Sequence, residues 1–354
     1  MHIVLIGLNH RTAPIELRER LAFGPEQHAH GLTRLRYDVG VPEALILSTC
    51  NRVEIYAGVS ELNGTLDRLT DFLGAHGGLE TQELHSRLYR YTEPRSIEHL
   101  FSVVSGLDSM VIGETEILHQ VKHAYDVARL HGATGKTLNV LFQKALNAGK
   151  TVQQRTALGR GCLSVGTVAI EFAHKIFGDL SHRTIALVGA GKIGEMVLKR
   201  LTERGAVAIR IINRSEARAR ELAARYGGQA FELDSLATQA LEADVLITSV
   251  SSPTALLTRE QIATAMTARR QRPLCVVDLG VPRNIDPDAG RLDNVYLFDI
   301  DDLQGLVNHH VSQRQGAIRE SELIVQQKVG HFLAWWQKEH GGCVLSSSAL
   351  AEAP

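Results

Sequence analysis

The chain has 354 residues, 44% of them hydrophobic, with a formal net charge of -1 at pH 7. That length accommodates two or three domains with cores of their own. The near-neutral balance excludes a globally basic nucleic-acid coat, so a nucleic-acid partner has to meet a local patch.

In chain order, His2 to Leu8 predicts an opening strand, followed by a polar turn, Asn9-His10-Arg11-Thr12-Ala13-Pro14. Ile15 to Phe23 has helical spacing, with Ile15, Leu17, Leu21 and Ala22 towards one side. Pro25 to Tyr37 is a second helix. Ala44 to Leu47 is the short apolar run of a buried strand, and Val53 to Tyr56 alternates apolar and polar as a second strand. Ser48-Thr49-Cys50-Asn51-Arg52 makes a sharp polar break between them. A structural cysteine usually hides among apolar neighbours, and Cys50 does not. Arg52, two residues on, could stabilise a thiolate and make the sulfur a nucleophile. The same pattern also fits a small buried residue at a strand end beside a solvated arginine.

Leu62 to His76 and Glu83 to Tyr89 read as helices. Ser96 to Leu130 looks helical around a break from Ser105 to Glu116, bracketed by Gly106 and Gly113. Glu114, Glu116 and Gln120 stand at the start of the next helix. There they either complement its dipole or point into a cleft that takes an amine or a hydroxyl. From Val127 to Ile170 there are six basic residues (Arg129, Lys136, Lys144, Lys150, Arg155, Arg160) and no acidic one. That stretch fits phosphates or a solvated linker helix.

Ser164 to Phe177 predicts a helix leading to a buried parallel-type strand, Thr184 to Val188. Gly189-Ala190-Gly191-Lys192-Ile193-Gly194 follows, then a helix from Glu195 to Arg204 and a second strand, Ala208 to Ile212. A GxGxxG loop inside such a βαβ unit predicts a dinucleotide site at a helix N-terminus. The second strand ends in Asn213-Arg214-Ser215, where an NAD site usually has Asp or Glu. No carboxylate repels a 2′-phosphate there and Arg214 can pair with one, so the expected cofactor is NADPH. Ala243 to Val250, Pro273 to Leu279 and Val295 to Ile300 continue the sheet, with Ser249 to Ser252 at the edge of a nicotinamide cleft. From Leu303 to about Glu339 runs one long helical pattern that either spans domains or pairs with another chain. Gly341-Gly342 ends it, before a loose tail.

The four cysteines, Cys50, Cys162, Cys275 and Cys343, are far apart, with no C-x-x-C pair and no zinc spacing. They read as free thiols in a reducing cytoplasm, with no metal site. Cys275 lies inside an apolar strand and reads as core; Cys162, in a glycine-flanked loop, is a weaker rival nucleophile. No signal-type segment occurs, and no run approaches the roughly 18 apolar residues of a membrane span. The expected location is cytoplasmic, without membrane attachment.

Taken together, Gly7 to Pro14, Leu17-Arg18-Glu19-Arg20, Ser48 to Tyr56, Ser105 to Glu114, Ile117-Leu118, Gln120-Val121-Lys122, the Gly189–Gly194 loop and Asn213-Arg214 resemble the glutamyl-tRNA reductase family. Those enzymes open tetrapyrrole (porphyrin, haem) synthesis from glutamate. The resemblance spans roughly residues 1–335. It implies an α/β architecture with an N-terminal α+β catalytic domain (1–155), a Rossmann-type NADP-binding domain (156–302), a long connecting helix (303–340) and a flexible tail (341–354). It implies that Cys50 attacks the ester joining glutamate to tRNA, and that NADPH reduces the resulting thioester to glutamate-1-semialdehyde. By the same resemblance Thr49, Asn51, Arg52, Ser109, Glu114, Thr115, Glu116 and Gln120 hold the glutamyl group, with Arg52 suited to its carboxylate and Glu114 to its ammonium. His99 assists, as a general acid for the departing tRNA hydroxyl. Gly189, Ala190, Gly191, Lys192, Ile193 and Gly194, with Asn213 and Arg214, hold NADPH. Glutamyl-tRNA is the expected partner, together with a second copy in a V-shaped homodimer and glutamate-1-semialdehyde aminotransferase.

The sequence departs from the family pattern at three points. His119 stands where glycine is usual, and Glu116 where glutamine is common. The long helix is followed by a short Ser/Ala tail in place of a helical dimerisation domain, which weakens the expectation of the dimer and of the aminotransferase contact. Residues 183–300 alone also fit a shikimate dehydrogenase-like NADP enzyme, a reading that leaves the Cys50 hairpin without a purpose.

Overall fold

The computed structural model describes residues 1–158, 165–302 and 315–340. Strands β1 (His2–Asn9), β2 (Glu43–Ser48), β3 (Arg52–Val59) and β4 (Tyr89–Tyr91) form an antiparallel sheet in the order β2-β3-β1-β4. Ser48 pairs with Val53, so Thr49, Cys50 and Asn51 form the turn of the β2–β3 hairpin. Asn9 pairs with Arg52, which brings the end of β1 to the same edge.

Helices cover both faces of this sheet. Phe142 of α7 (Lys136–Arg155) meets Tyr56 edge-on at 5.4 Å, over the face that carries Arg52, Glu54 and Tyr56. On the other face, Gly31 of α2 (Pro25–Tyr37) lets that helix close on Ile46, the cross-strand partner of Ile55. Strand β3 is therefore buried along its whole length, polar residues included. The remaining N-terminal helices are α1 (Ile15–Leu21), α3 (Thr65–Gly77), α4 (Thr81–His85), α5 (Arg95–Val104) and α6 (Glu116–Leu130). The helix expected over Glu83 to Tyr89 stops at His85. Tyr89-Arg90-Tyr91 has the two-residue alternation of a strand and pairs with β1 as β4.

The second unit holds six parallel strands, β5 (Thr184–Val188), β6 (Ala208–Asn213), β7 (Gln229–Glu232), β8 (Val245–Thr248), β9 (Leu274–Asp278) and β10 (Val295–Phe298). Their order is β10-β9-β8-β5-β6-β7, so the direction of winding reverses between β5 and β8, where ligands bind in doubly wound sheets. Helices α8 (Val165–Phe177), α9 (Lys192–Glu203), α10 (Glu216–Tyr226), α11 (Leu236–Glu242) and α12 (Arg259–Ala268) complete it. β7 has only four residues, two of them polar, and leaves no clear apolar run to read.

Helix α13 (Gln315–His340) buries Ser321, Val325, Val329, Phe332 and Trp336, one helical stripe. That stripe joins the N-terminal core: Phe332 meets Phe101 at 6.1 Å, and Ser321 Oγ lies 3.1 Å from Thr156 Oγ1. This stripe of the described helix is covered by the N-terminal unit of the same chain. The first part of its expected span (303–314), Cys162 and Cys343 lie outside the described residues. Among the described residues no helix is long and apolar enough to cross a membrane.

Candidate active site

The hairpin tip is built by Thr49. Its hydroxyl accepts the backbone N–H groups of Asn51 and Arg52, both at 3.2 Å, and its own N–H donates to the Arg52 carbonyl at 2.9 Å. Such a local side-chain turn holds a sharp reversal without glycine. The Asn51 carbonyl accepts His10 N–H at 2.9 Å, tying the tip to the turn after β1. Asn51 is 6% exposed, and its Oδ1 is buried with no partner among the described residues.

Cys50 is half-buried and packs against the apolar core of the nucleotide-type unit, a cluster that includes Met110, Val111 and Ala190. Burial pushes its thiol up to about 12; the Glu114 carboxylate adds to the rise and Arg18 opposes it. The cation beside Cys50 is Arg18, and the expectation that Arg52 supports the thiolate is corrected here. Arg52 follows the strand into the core. Its Nη1 donates to Glu54 at 2.7 Å and to Asp108 at 3.2 Å, and its Nη2 bonds the Asp108 carbonyl.

Glu54, fully buried, gathers four donors. Besides Arg52 it accepts Tyr56 at 2.7 Å, Tyr89 at 2.5 Å and His99 Nε2 at 2.8 Å. His99 packs against both rings of the stacked pair Tyr89 and Tyr91, with Nδ1 4.0 Å from Asp108. Asp108 also takes Arg11 at 2.9 Å.

Asp108 and Ser109 ride on the loop that the two glycines bracket. Gly113 N–H donates to the Gly106 carbonyl at 2.8 Å, and both glycines have positive φ, +87° and +72°. The pinched loop drives Met110 and Val111 into the neighbouring unit and leaves Glu114 next to Ser109. Burial raises the Glu114 carboxyl to about 7, against the nearby Ser109 hydroxyl and the charge of Arg52. Glu116 and Gln120 line a cleft of about 560 Å³ with Ser48, His119, Lys192 and Ser251. Glu116 lies 3.7 Å from Lys192 across it. Thr115 is exposed at the start of α6, and its side chain caps nothing.

The glycine loop divides its labour. Gly189 has φ +108°, and a Cβ there would meet the Ser249 carbonyl at 2.7 Å. A Cβ on Gly194 would lie 2.2 Å from the Gly189 carbonyl, whereas one on Gly191 would meet nothing within 4 Å. Gly189 and Gly194 thus serve the turn and its packing, and Gly191 leaves open space at the N-terminus of α9, the room a pyrophosphate requires. Asn213 Oδ1 accepts Ala190 N–H at 3.2 Å and holds the loop's shape. Ile193 packs against the core. Arg214 is exposed and makes no ion pair or hydrogen bond among the described residues. At the switch point Ser249 Oγ is buried without a partner among the described residues, beside Gly189. These residues fit a dinucleotide.

Sequence reasoning passed over Glu54, Asp108 and Arg18 as site residues. A signal existed for Arg18: it occupies the middle of the spacing Ile15, Arg18, Leu21, the buried stripe of α1, where a charge without a partner would be costly. Leu17 and Ala22, expected on that stripe, are only half-buried.

Comparison with known proteins adds an independent line. The profile of the glutamyl-tRNA(Glu) reductase N-terminal domain matches residues 6–156, and that of shikimate/quinate 5-dehydrogenase matches residues 171–306. A protein of Syntrophotalea carbinolica named glutamyl-tRNA reductase is 40% identical over 335 residues, covering 95% of this chain and 76% of its own. The Bacillus subtilis protein of that name is 38% identical, covering 99% and 77%. The solved structure of glutamyl-tRNA reductase from Methanopyrus kandleri is 29% identical, with a TM-score of 0.53 over 95% of this chain and 81% of its own.

Proposed function

The chain belongs to the glutamyl-tRNA reductase family, and from that premise we propose that it reduces the glutamyl group of glutamyl-tRNA to glutamate-1-semialdehyde through a thioester on Cys50, with NADPH as reductant. Membership makes it an oxidoreductase of the first step of tetrapyrrole synthesis, and its dehydrogenase-type second unit implies a pyridine nucleotide. The finer reading rests chiefly on one observation. Cys50 stands at the tip of a hairpin that packs against the unit carrying the glycine loop.

In the first half-reaction the Cys50 sulfur bonds to the acyl carbon and loses its proton. The bond from that carbon to the tRNA ribose oxygen breaks, and the oxygen leaves as a hydroxyl after taking a proton. His99 is suited to move that proton through Nδ1, since Nε2–H is committed to Glu54. Glu114 receives the substrate ammonium, whose charge offsets the carboxylate that raises the thiol. Arg52 takes the substrate carboxylate in exchange for Asp108, which stays paired with Arg11. Thr49, Asn51 and Ser109 shape the pocket around the acyl carbon, and Thr115, Glu116 and Gln120 its cleft side.

A bound nucleotide would supply the hydride for the thioester carbon; Cys50 would then leave that carbon with the bonding pair and regain a proton as the thiol. Gly191 and Lys192 at the start of α9 receive the pyrophosphate. Arg214 would pair with a 2′-phosphate, and Ser249, at the switch point, would border the nicotinamide.

The test withholds the reductant. Wild type and Cys50→Ser are incubated with tRNA charged with radiolabelled glutamate. Label on the wild-type protein alone, released as semialdehyde on adding NADPH, is the expected result. A folded, NADPH-binding wild type that takes up no label overturns the thioester route.

A further inference from the structure

Two neighbouring side chains of α1, Arg18 and Glu19, each bond a residue of the nucleotide-type unit. Arg18 has no exposed surface, and each arm of its guanidinium is committed. Nε donates to the Ala13 carbonyl at 3.3 Å, one Nη to the Cys50 carbonyl, and the other to the Asp301 carboxylate just past β10. A single planar group thus ties the turn after β1, the backbone of the nucleophile and the end of the nucleotide-type unit. A forked, rigid donor set suits such three-way contact in a way a lysine does not.

Glu19 accepts Arg283 three times: from the backbone N–H at 2.5 Å, from Nε at 3.1 Å and from Nη2 at 3.2 Å. Arg283 also reaches Glu16 at 3.1 Å. The loop that carries Arg283 is rigidly mounted. The buried Asp278 carboxylate collects Thr248 Oγ1 and the N–H groups of Gly280, Asn284 and Ile285, all within 3.0 Å. The Asn284 side chain is bonded to Val250 at both its amide atoms. Ile15, Met110 and Val111 sit in the apolar core of the same unit. The contact therefore combines apolar insertion with the ion pairs of Arg18 and Arg283, and Arg18 is also bonded to the Cys50 carbonyl.

We propose that Arg18–Asp301 and Glu19–Arg283 form a latch that seats the nucleotide-binding unit over Cys50, with Arg18 as the positioning residue that registers the sulfur against it. The proposal rests on the reductase reading above. A latched arrangement commits the acyl group to reduction; a loosened one leaves it open to water, and the thioester is lost as glutamate. Acyl transfer from tRNA needs Cys50 and its hairpin but not the seated unit, so the two half-reactions part company when the latch is cut.

The experiment uses the full chain with Asp301→Asn and, separately, Arg283→Gln. Label transfer to Cys50 without NADPH is expected within about twofold of wild type. Semialdehyde formed per acyl-enzyme is expected to fall roughly 10- to 100-fold, with the label appearing as free glutamate. A second readout needs no substrate: in Arg283→Gln the Cys50 peptide is alkylated by iodoacetamide severalfold faster, because its cover lifts. The charge swap Glu19→Arg with Arg283→Glu should recover much of the partition towards aldehyde. Equal loss of both half-reactions, an unchanged aldehyde-to-glutamate ratio, or unchanged alkylation overturns the latch. If wild type itself takes no label, the thioester reading fails, and the alkylation rates still decide whether the units are latched.

Discussion

His99 Nε2 lies 2.8 Å from Glu54 Oε1, and this contact sets which ring nitrogen is available. Burial pulls the Glu54 carboxyl up, but Arg52 and His99 outweigh it and hold it well below the usual carboxylate range. An ionised carboxylate only accepts, so Nε2 carries the proton and Nδ1 is left for proton transfer. Orientation of the candidate acid–base group thus depends on a residue that itself faces the core.

Glu54→Gln tests that dependence. The amide keeps the shape but strips the charge that Arg52 is buried against. Loss of one partner of a buried pair costs about 3–5 kcal/mol, so a marked fall in denaturation midpoint is expected. The pH dependence has a defined sign. The folded-state value of Glu54 lies below its ordinary 4.5, so its contribution is present above that pH and fades as the pH falls. Urea titrations between neutral and acid pH should show the wild-type advantage over Glu54→Gln shrinking below 4.5. A constant gap would mean that the charge is not what stabilises.

Glu114→Gln probes the thiol directly. The Glu114 carboxylate raises Cys50, after burial itself. Its removal is expected to shift the pH profile of Cys50 alkylation downwards by on the order of one pH unit. The same variant should bind glutamyl-tRNA more weakly, having lost the partner of the substrate ammonium. A faster-reacting thiol paired with a higher KM separates these roles from a general loss of structure.

β4 and β7, of three and four residues, are too short to establish a period. Eight of the ten described strands, the glycine loop and the hairpin tip were legible because each is written locally, in alternation and turn residues. The direction of Arg52 was not. A solvated Arg52 at the strand end needs one side of the sheet to be exposed, and α7 covers that side through Phe142. Arg18 escaped for a related reason: within Leu-Arg-Glu-Arg it reads as one more surface charge. Its partners, Cys50 and Asp301, are 32 and 283 residues away. Long-range polar pairing of this kind has no sequence period.

Two glycines of the nucleotide loop predict opposite phenotypes. Gly194→Ala drives a methyl to 2.2 Å from the Gly189 carbonyl, so backbone has to move and stability should fall by about 1–3 kcal/mol. Gly191→Ala adds a methyl where the protein has nothing within 4 Å. Its denaturation midpoint should match wild type while NADPH affinity falls at least tenfold. Normal affinity in Gly191→Ala would remove the pyrophosphate from that space.

On the proposed NADPH reading, the choice between the two nicotinamide nucleotides falls to Arg214. It stands just past β6, exposed and without an ion-pair partner among the described residues, next to Asn213, whose side chain is occupied with Ala190 and Ser215. A guanidinium free of internal partners contributes little to folding, so Arg214→Ala should leave stability unchanged. Its loss should weaken NADPH binding by about 1.5–3 kcal/mol, the worth of hydrogen bonds to a charged group, and leave NADH nearly untouched. The ratio of the two dissociation constants, read by fluorescence titration, should therefore move by roughly 10- to 150-fold towards NADH. An equal loss for both nucleotides would place Arg214 on the shared pyrophosphate. No loss for either would transfer the 2′-phosphate to another cation of the α9–α10 face. Arg218 is the less suited alternative there, since Glu195 and Glu221 already hold it at 3.2 and 2.6 Å.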